Sequence, residues 1–194
     1  MSRICLTGGI ACGKSLVAKC LNELGVETID ADDVVHALIP DPAERRRIAA
    51  EVFADPAKRK ALEAKIHPIV KERIEEFLGQ GNEGLSTFDS RLSVGDSRPS
   101  QARPLRLAII PLLFETHWNE NYDIICAVVS EKETQIARMM TTRGYSRQEA
   151  EARLAAQMPV EEKAKRSHYV IHNDGTPEEL KEKTKAFVSW LKTR

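Results

Sequence analysis

Eight consecutive residues carry the clearest chemistry in the chain. Gly8-Gly9-Ile10-Ala11-Cys12-Gly13-Lys14-Ser15 matches G-x-x-x-x-G-K-[ST] in full. Glycines in such a run let the backbone turn tightly and point successive N–H groups inward, as an anion nest. A helix beginning near Lys14 adds the positive end of its dipole. Lys14 would then reach the β- and γ-phosphates of a nucleoside triphosphate, and the Ser15 hydroxyl would sit on Mg²⁺. A glycine turn without a ligand is the plain alternative. The full motif, between an apolar strand and an amphipathic helix, favours a nucleotide site.

A second group of residues bears on what happens to the γ-phosphate. Asp30, Asp32 and Asp33 follow the second apolar run. In open α/β sheets ligands bind beyond the carboxyl ends of the strands. A carboxylate there could orient an acceptor hydroxyl, take its proton or hold metal-bound water. Equally, one of the three could cap the next helix. The third apolar run ends in Pro111-Leu112-Leu113-Phe114-Glu115, where motor and switch NTPases place an Asp that helps hold Mg²⁺. That carboxylate therefore falls to Asp30 or Asp32, which points to a small-molecule kinase. Arg138, Arg143 and Arg147 lie in ten residues without an acid, followed by Arg153. Arginines closing over phosphates neutralise charge and exclude water, so this stretch reads as a lid.

These groups need a scaffold. Arg3 to Thr7, Val26 to Asp30, Leu105 to Ile110, Ile124 to Val129 and Tyr169 to Ile171 read as short buried strands separated by helices, which implies a parallel α/β sheet. Lys14 to Leu24 has helical apolar spacing with Gly25 as its stop. Pro42 to Ala54 and Pro56 to Leu78 read as two more helices, the latter bent or broken at Pro68. Ser146 with Glu149 makes a capping box for a helix through Gln157. Thr176-Pro177-Glu178-Glu179 opens a last helix, ending near Leu191. Gly79 to Pro104, rich in glycine and serine, reads as a long inserted surface loop.

Composition sets the outer bounds. The chain has 194 residues, with 29 basic side chains against 29 acidic ones. A zero balance argues against a general nucleic-acid binder. The longest apolar stretch, Leu107 to Phe114, is far too short to cross a bilayer. No secretory leader pattern precedes the glycines. Cys5, Cys12, Cys20 and Cys126 show no CxxC pair and no metal spacing, so they read as reduced thiols of a cytoplasmic protein.

The residues also resemble a known family, the dephospho-coenzyme A kinases within the P-loop nucleoside and nucleotide kinases. The resemblance runs through LTGGIACGKS, VETIDADDVVHAL, VFADPAKRKALEAKIHPIV, IIPLLFET and ARMMTTRGYSRQEAEARLAAQMPVEEKAKRSHYVIHNDGTPEEL, in the family's order. The phosphate loop is common to many families; IDAD, IHP, PLLFE and the R…R…Q…K…YVI-N-G succession are more particular. The resemblance implies ATP-dependent phosphorylation of the ribose 3′-hydroxyl of dephospho-CoA, with ATP and Mg²⁺ as cofactors. It implies one domain with a three-layer P-loop NTPase fold: a five-stranded parallel sheet, a helical substrate-binding part and a lid. By position, the nucleotide core is 1–31, 105–130 and 167–194, the helical CoA-binding part 32–80, the inserted loop 81–104 and the lid region 131–166.

Carried over residue by residue, Ala11 to Leu16 form the ATP loop and Asp32 is the acceptor-side base. His67 lies on the substrate side, Arg138 and Arg143 approach the phosphates, and Asn173 with Gly175 flanks the adenine. His67 could equally be a packed helical histidine, and Asn173 a turn asparagine. The chain departs from the family pattern by a shortening between His36 and Val52 and a serine-rich lengthening between Gly79 and Pro104. Cys12 stands where glycine or serine is more common, so oxidation there is expected to block phosphate binding. The rival readings are a kinase for a nucleoside monophosphate or another small alcohol, and an ATP-sensing module without turnover.

Overall fold

Alternating apolar and amphipathic runs become five strands and eight helices among the described residues, 2–79 and 104–194 of a computed structural model. The strands are β1 (Ile4–Gly8), β2 (Glu27–Asp30), β3 (Arg106–Ile109), β4 (Ile124–Val129) and β5 (Tyr169–His172). The helices are α1 (Lys14–Glu23), α2 (Ala31–Leu38), α3 (Pro42–Ala54), α4 (Pro56–Gly79), α5 (Lys132–Arg143), α6 (Arg147–Ala155), α7 (Val160–Lys165) and α8 (Pro177–Leu191). Apart from its end residues Gly79 and Pro104, the expected inserted loop lies outside the described residues.

All neighbouring strands pair parallel, in the order β2-β3-β1-β4-β5. Every residue of β1 and β4 is buried, as strands covered on both faces must be. Successive side chains go to opposite layers. Ile4, Leu6, Cys126 and Val128 pack with Val17 and Leu21 of α1 and Phe187 and Leu191 of α8. Cys5, Ala108, Ile110 and Ile125 pack with Val70, Ile74 and Leu78 of α4. Helices on both faces of one parallel sheet make the three-layer α/β fold.

Three local outcomes refine the sequence reading. The helix over Pro68 is not broken. The carbonyl deprived of a donor there belongs to exposed Ala64, where water can serve it. The helix opened by Ser146 stops at Ala155, and a separate α7 follows Pro159. Finally, β2 does not neighbour β1. Asp30 is in register with Ile109, and Ile109 with Leu6, so two strand spacings, about 10 Å, separate Asp30 from β1. No helix among the described residues is long and apolar enough to cross a membrane.

Candidate active site

The loop Gly8–Ser15 joins the end of β1 to the start of α1. Backbone crowding explains its glycines at two points. A Cβ on Gly8 would collide with the Val128 carbonyl oxygen of the neighbouring strand. Gly13 has φ 88, a left-handed conformation, and a Cβ there would strike the Asn173 amide. Lys14 Nζ folds back to donate to Gly8 O at 3.0 Å and Gly9 O at 2.9 Å. Burial holds this ammonium below the usual lysine range, and the charge of Lys163 pushes the same way. Cys12 and, more weakly, the Asp32 and Asp30 carboxylates pull it back up.

Three side chains from late in the sequence grip the loop. Asn173, 5% exposed just past β5, donates from Nδ2 to Cys12 O at 2.8 Å. Arg138 of α5 donates to Ala11 O at 3.3 Å, to Ser130 Oγ at 3.0 Å and to Asn173 O at 2.9 Å. Gln157 Oε1 accepts the Ile10 N–H at 3.2 Å. The hairpin of α5 and α6 rests on the loop as well, with Met139, Ala150 and Leu154 packed around Ile10 and Ala11.

The other arginines separate. Arg143 is exposed in the last turn of α5, with no hydrogen bond or ion pair among the described residues. Arg147 is held by Glu133 at 2.7 Å and Glu151 at 2.9 Å. Arg153 stacks 3.9 Å over the Tyr145 ring. The last two therefore tie the hairpin to itself. His67 sits on α4 with its ring edge-on to Trp118, 5.3 Å between centroids. Gly175 is exposed two residues beyond Asn173, where a Cβ would meet the Glu179 carboxylate that completes the α8 capping box.

Of the acids after β2, Asp30 is the cap, its Oδ1 accepting the Asp32 N–H at 2.9 Å. Burial pushes the Asp30 carboxyl above its ordinary value, and the charges of Asp32 and Asp33 add to the rise. Asp32 and Asp33 are exposed in the first turn of α2. Among the described residues no three His, Cys, Asp or Glu side chains gather to hold a metal. The exposed Ser15 hydroxyl and the acids facing Lys14 are hard oxygen donors. They suit an Mg²⁺ ion that keeps waters and arrives on phosphates rather than one caged by protein.

One expectation changes. Cys12 has no exposed surface, and burial pushes its thiol above the usual range, so it is a poor target for oxidants. Missing from the sequence reading is a buried ion pair beneath the site. Lys163, fully buried, meets Glu115 Oε1 at 2.8 Å and donates to Pro111 O at 2.9 Å. Its setting, Glu161-Glu162-Lys163-Ala164-Lys165, is mostly charged, and nothing local marks Lys163 for burial. Its one signal was the Glu closing an otherwise apolar Pro111–Phe114 run.

A phosphate loop at the carboxyl edge of a five-stranded parallel sheet, under an arginine-bearing helical hairpin, is the framework of a P-loop kinase. Shikimate kinase from Acinetobacter baumannii shares that framework at a TM-score of 0.62 and 16% identity, over 100% of this chain and 96% of its own. The particular family is set by sequence: residues 2–44 and 40–179 match the dephospho-CoA kinase family in two overlapping stretches, and the chain belongs to it. A dephospho-CoA kinase of Geobacter sulfurreducens is 38% identical, covering 93% of each chain. The crystal structure of TT1252 from Thermus thermophilus matches at a TM-score of 0.74 and 32% identity, over 98% of this chain and 99% of that one.

Proposed function

We propose that the chain transfers the γ-phosphoryl group of ATP to the ribose 3′-hydroxyl of dephospho-CoA, with Asp32 as the acceptor-side base. What supports this assignment of roles is that Lys14 is fixed on the phosphate loop while Asp32 stands exposed in the first turn of α2, just past the carboxyl end of β2. Phosphate charge and an acceptor hydroxyl can thus be held against opposite sides of one small space. Asp30 spends an oxygen on capping α2, whereas Asp32 is exposed and open to a substrate hydroxyl. Asp32 therefore orients and deprotonates the acceptor, and Asp30 fixes the helix that carries it.

Lys14 leaves the Gly8 and Gly9 carbonyls to stabilise charge on the β–γ bridge. Arg143, exposed and unpaired among the described residues, is the arginine available to close on the phosphates. Arg138 secures the loop through Ala11 and borders the nucleotide beside Asn173 and Gly175. Mg²⁺ arriving with the nucleotide would be held by Ser15 with Asp30 or Asp32 on its water, and supplies neutralisation of the β- and γ-oxygens. The segment 32–80, carrying His67, serves as the CoA-binding part. Within 131–166, the hairpin of α5 and α6 is the moving lid, because α7 packs on β1 and β4. Four free, buried cysteines fit a reducing, cytoplasmic setting.

The test is product formation with dephospho-CoA, AMP, CMP and shikimate as acceptors. Turnover should be confined to dephospho-CoA; strong turnover with another acceptor would reject the assignment. Asp32→Asn should lower kcat at least a hundredfold with ATP affinity nearly unchanged. If Asp30→Asn is the crippling change instead, the two acids have exchanged roles.

A further inference from the structure

Ala11 stands in the phosphate loop with φ 59, in the left-handed region that a Cβ disfavours. The turn it belongs to demands that conformation. Cys12 N–H donates to Gly9 O at 3.4 Å, closing a four-residue turn with Ala11 in third place. Of the two central residues only Ala11 has positive φ, which is the type II arrangement, where glycine is the usual occupant. Gly13, with φ 88, repeats the left-handed step two residues on. Alternation of this kind turns successive N–H groups to one side and makes the anion nest. Phosphate binding therefore depends on a strained shape at Ala11, which glycine would adopt freely.

Such a conformation persists where surrounding contacts over-determine it. Here they come from α5. The Arg138 guanidinium donates to Ala11 O at 3.3 Å and is itself fixed on Ser130 Oγ at 3.0 Å and Asn173 O at 2.9 Å. The two ends of a trans peptide point opposite ways. Arg138 on Ala11 O thus keeps the Cys12 N–H of the same peptide turned toward Gly9 O. Asn173 Nδ2 takes the next carbonyl, Cys12 O, at 2.8 Å. The Ala11 side chain packs with Ile136, Met139 and Ala150 of α5 and α6. The methyl that strains the loop also seats it on the hairpin.

We propose that Arg138 is a positioning residue that keeps Ala11 left-handed, and that the Ala11 methyl makes the phosphate nest conditional on this hold. With Arg138 in place, the Ala11–Cys12 peptide is fixed at both ends and the nest stands formed before nucleotide arrives. Without it, Ala11 relaxes to negative φ, the peptide turns over, the Cys12–Gly9 turn opens and the nest is lost. Glycine at position 11 has no such preference and keeps the nest without Arg138. Arg138 acts here through the backbone and need not touch phosphate. The loop's readiness for nucleotide is thereby tied to the helix that leads into the hairpin over the site. The inference rests on reading Gly8–Ser15 as the ATP loop.

The test is a double-variant cycle on the full chain, read by calorimetry with ATP and with inorganic tripolyphosphate, which has no adenine. Arg138→Met should weaken both ligands about tenfold or more. Ala11→Gly alone should change either by less than about threefold. Added to Arg138→Met, Ala11→Gly should restore at least about threefold of the loss, because the left-handed penalty is gone. An equal effect of Ala11→Gly with and without Arg138 would overturn the proposal, since a guanidinium acting on phosphate directly leaves a loss that glycine cannot restore. Unchanged tripolyphosphate binding in Arg138→Met would overturn it too, by placing the role of Arg138 at the adenine. If Arg138→Met does not fold, Arg138→Lys goes through the same cycle under the same criteria. It keeps the charge but not the fork that spans Ala11, Ser130 and Asn173. Failure of the unaltered chain to bind either ligand would instead overturn the loop reading beneath it.

Discussion

Cys12 shows how one residue's chemistry is set by where its side chain goes. It sits in the phosphate loop, the place where a reactive thiol would do most harm, yet its sulfur is turned into the core with no exposed surface. Nucleophilic attack on peroxide needs thiolate, and burial raises the thiol's pKa despite the nearby Lys14 charge. Millimolar peroxide should therefore leave turnover intact, and a thiol reagent should label Cys12 only after denaturation. Sulfenylation of native Cys12 with parallel loss of activity would contradict this. Lys14 is the opposite case, since its role follows from a single charged atom. Lys14→Met should abolish turnover with any acceptor, at least a thousandfold in kcat, because it removes the side-chain cation that the described residues place on the Gly8 and Gly9 carbonyls.

At the level of elements, α2 joins stability to the reaction, because its cap is an acid with a raised pKa. A carboxyl whose folded pKa lies above its unfolded value favours the folded state when protonated. That contribution is complete below the unfolded pKa and is lost as pH rises through the folded one. Ionised Asp30 therefore costs stability near neutrality. Asn caps as well as Asp does without the charge. Asp30→Asn should raise Tm at pH 7 by about 1–3 °C and flatten its fall above the carboxylate range; the gain is small because solvent screens a half-exposed group. A lower Tm at pH 7 would show that the ionised cap is needed. The same scale shows what the residues could tell before any coordinates. β4 and the caps Ser146 and Thr176 stand where pattern and capping chemistry put them, since each is decided within a few residues. Strand order was not legible, because β1 pairs with β3 and β4 and nothing local in Ile4–Gly8 names its neighbours. Gln157 and Lys163 escaped for the same reason. Ordinary polar residues acquire their roles from Ile10 and Glu115, which only the fold brings to them.

For the whole molecule, the Glu115–Lys163 pair is a pin between the end of β3 and α7. Removing Glu115 strands the fully buried Lys163 ammonium, so Glu115→Leu should cost about 3–5 kcal/mol. Replacing both, as Glu115→Leu with Lys163→Met, should recover most of that loss in urea unfolding. A double variant no more stable than the single one would show that Glu115 is needed for Met158 more than for Lys163. A different consequence follows from the Asn173 amide on the Cys12 carbonyl and the Arg138 guanidinium on Ala11. On the ribosome the phosphate loop is made 127 residues before the Arg138 clasp and 161 before the Asn173 clasp. A nascent chain that has not yet delivered Asn173 carries the motif without its supports. A chain cut before β5 should therefore bind ATP far more weakly than the full chain.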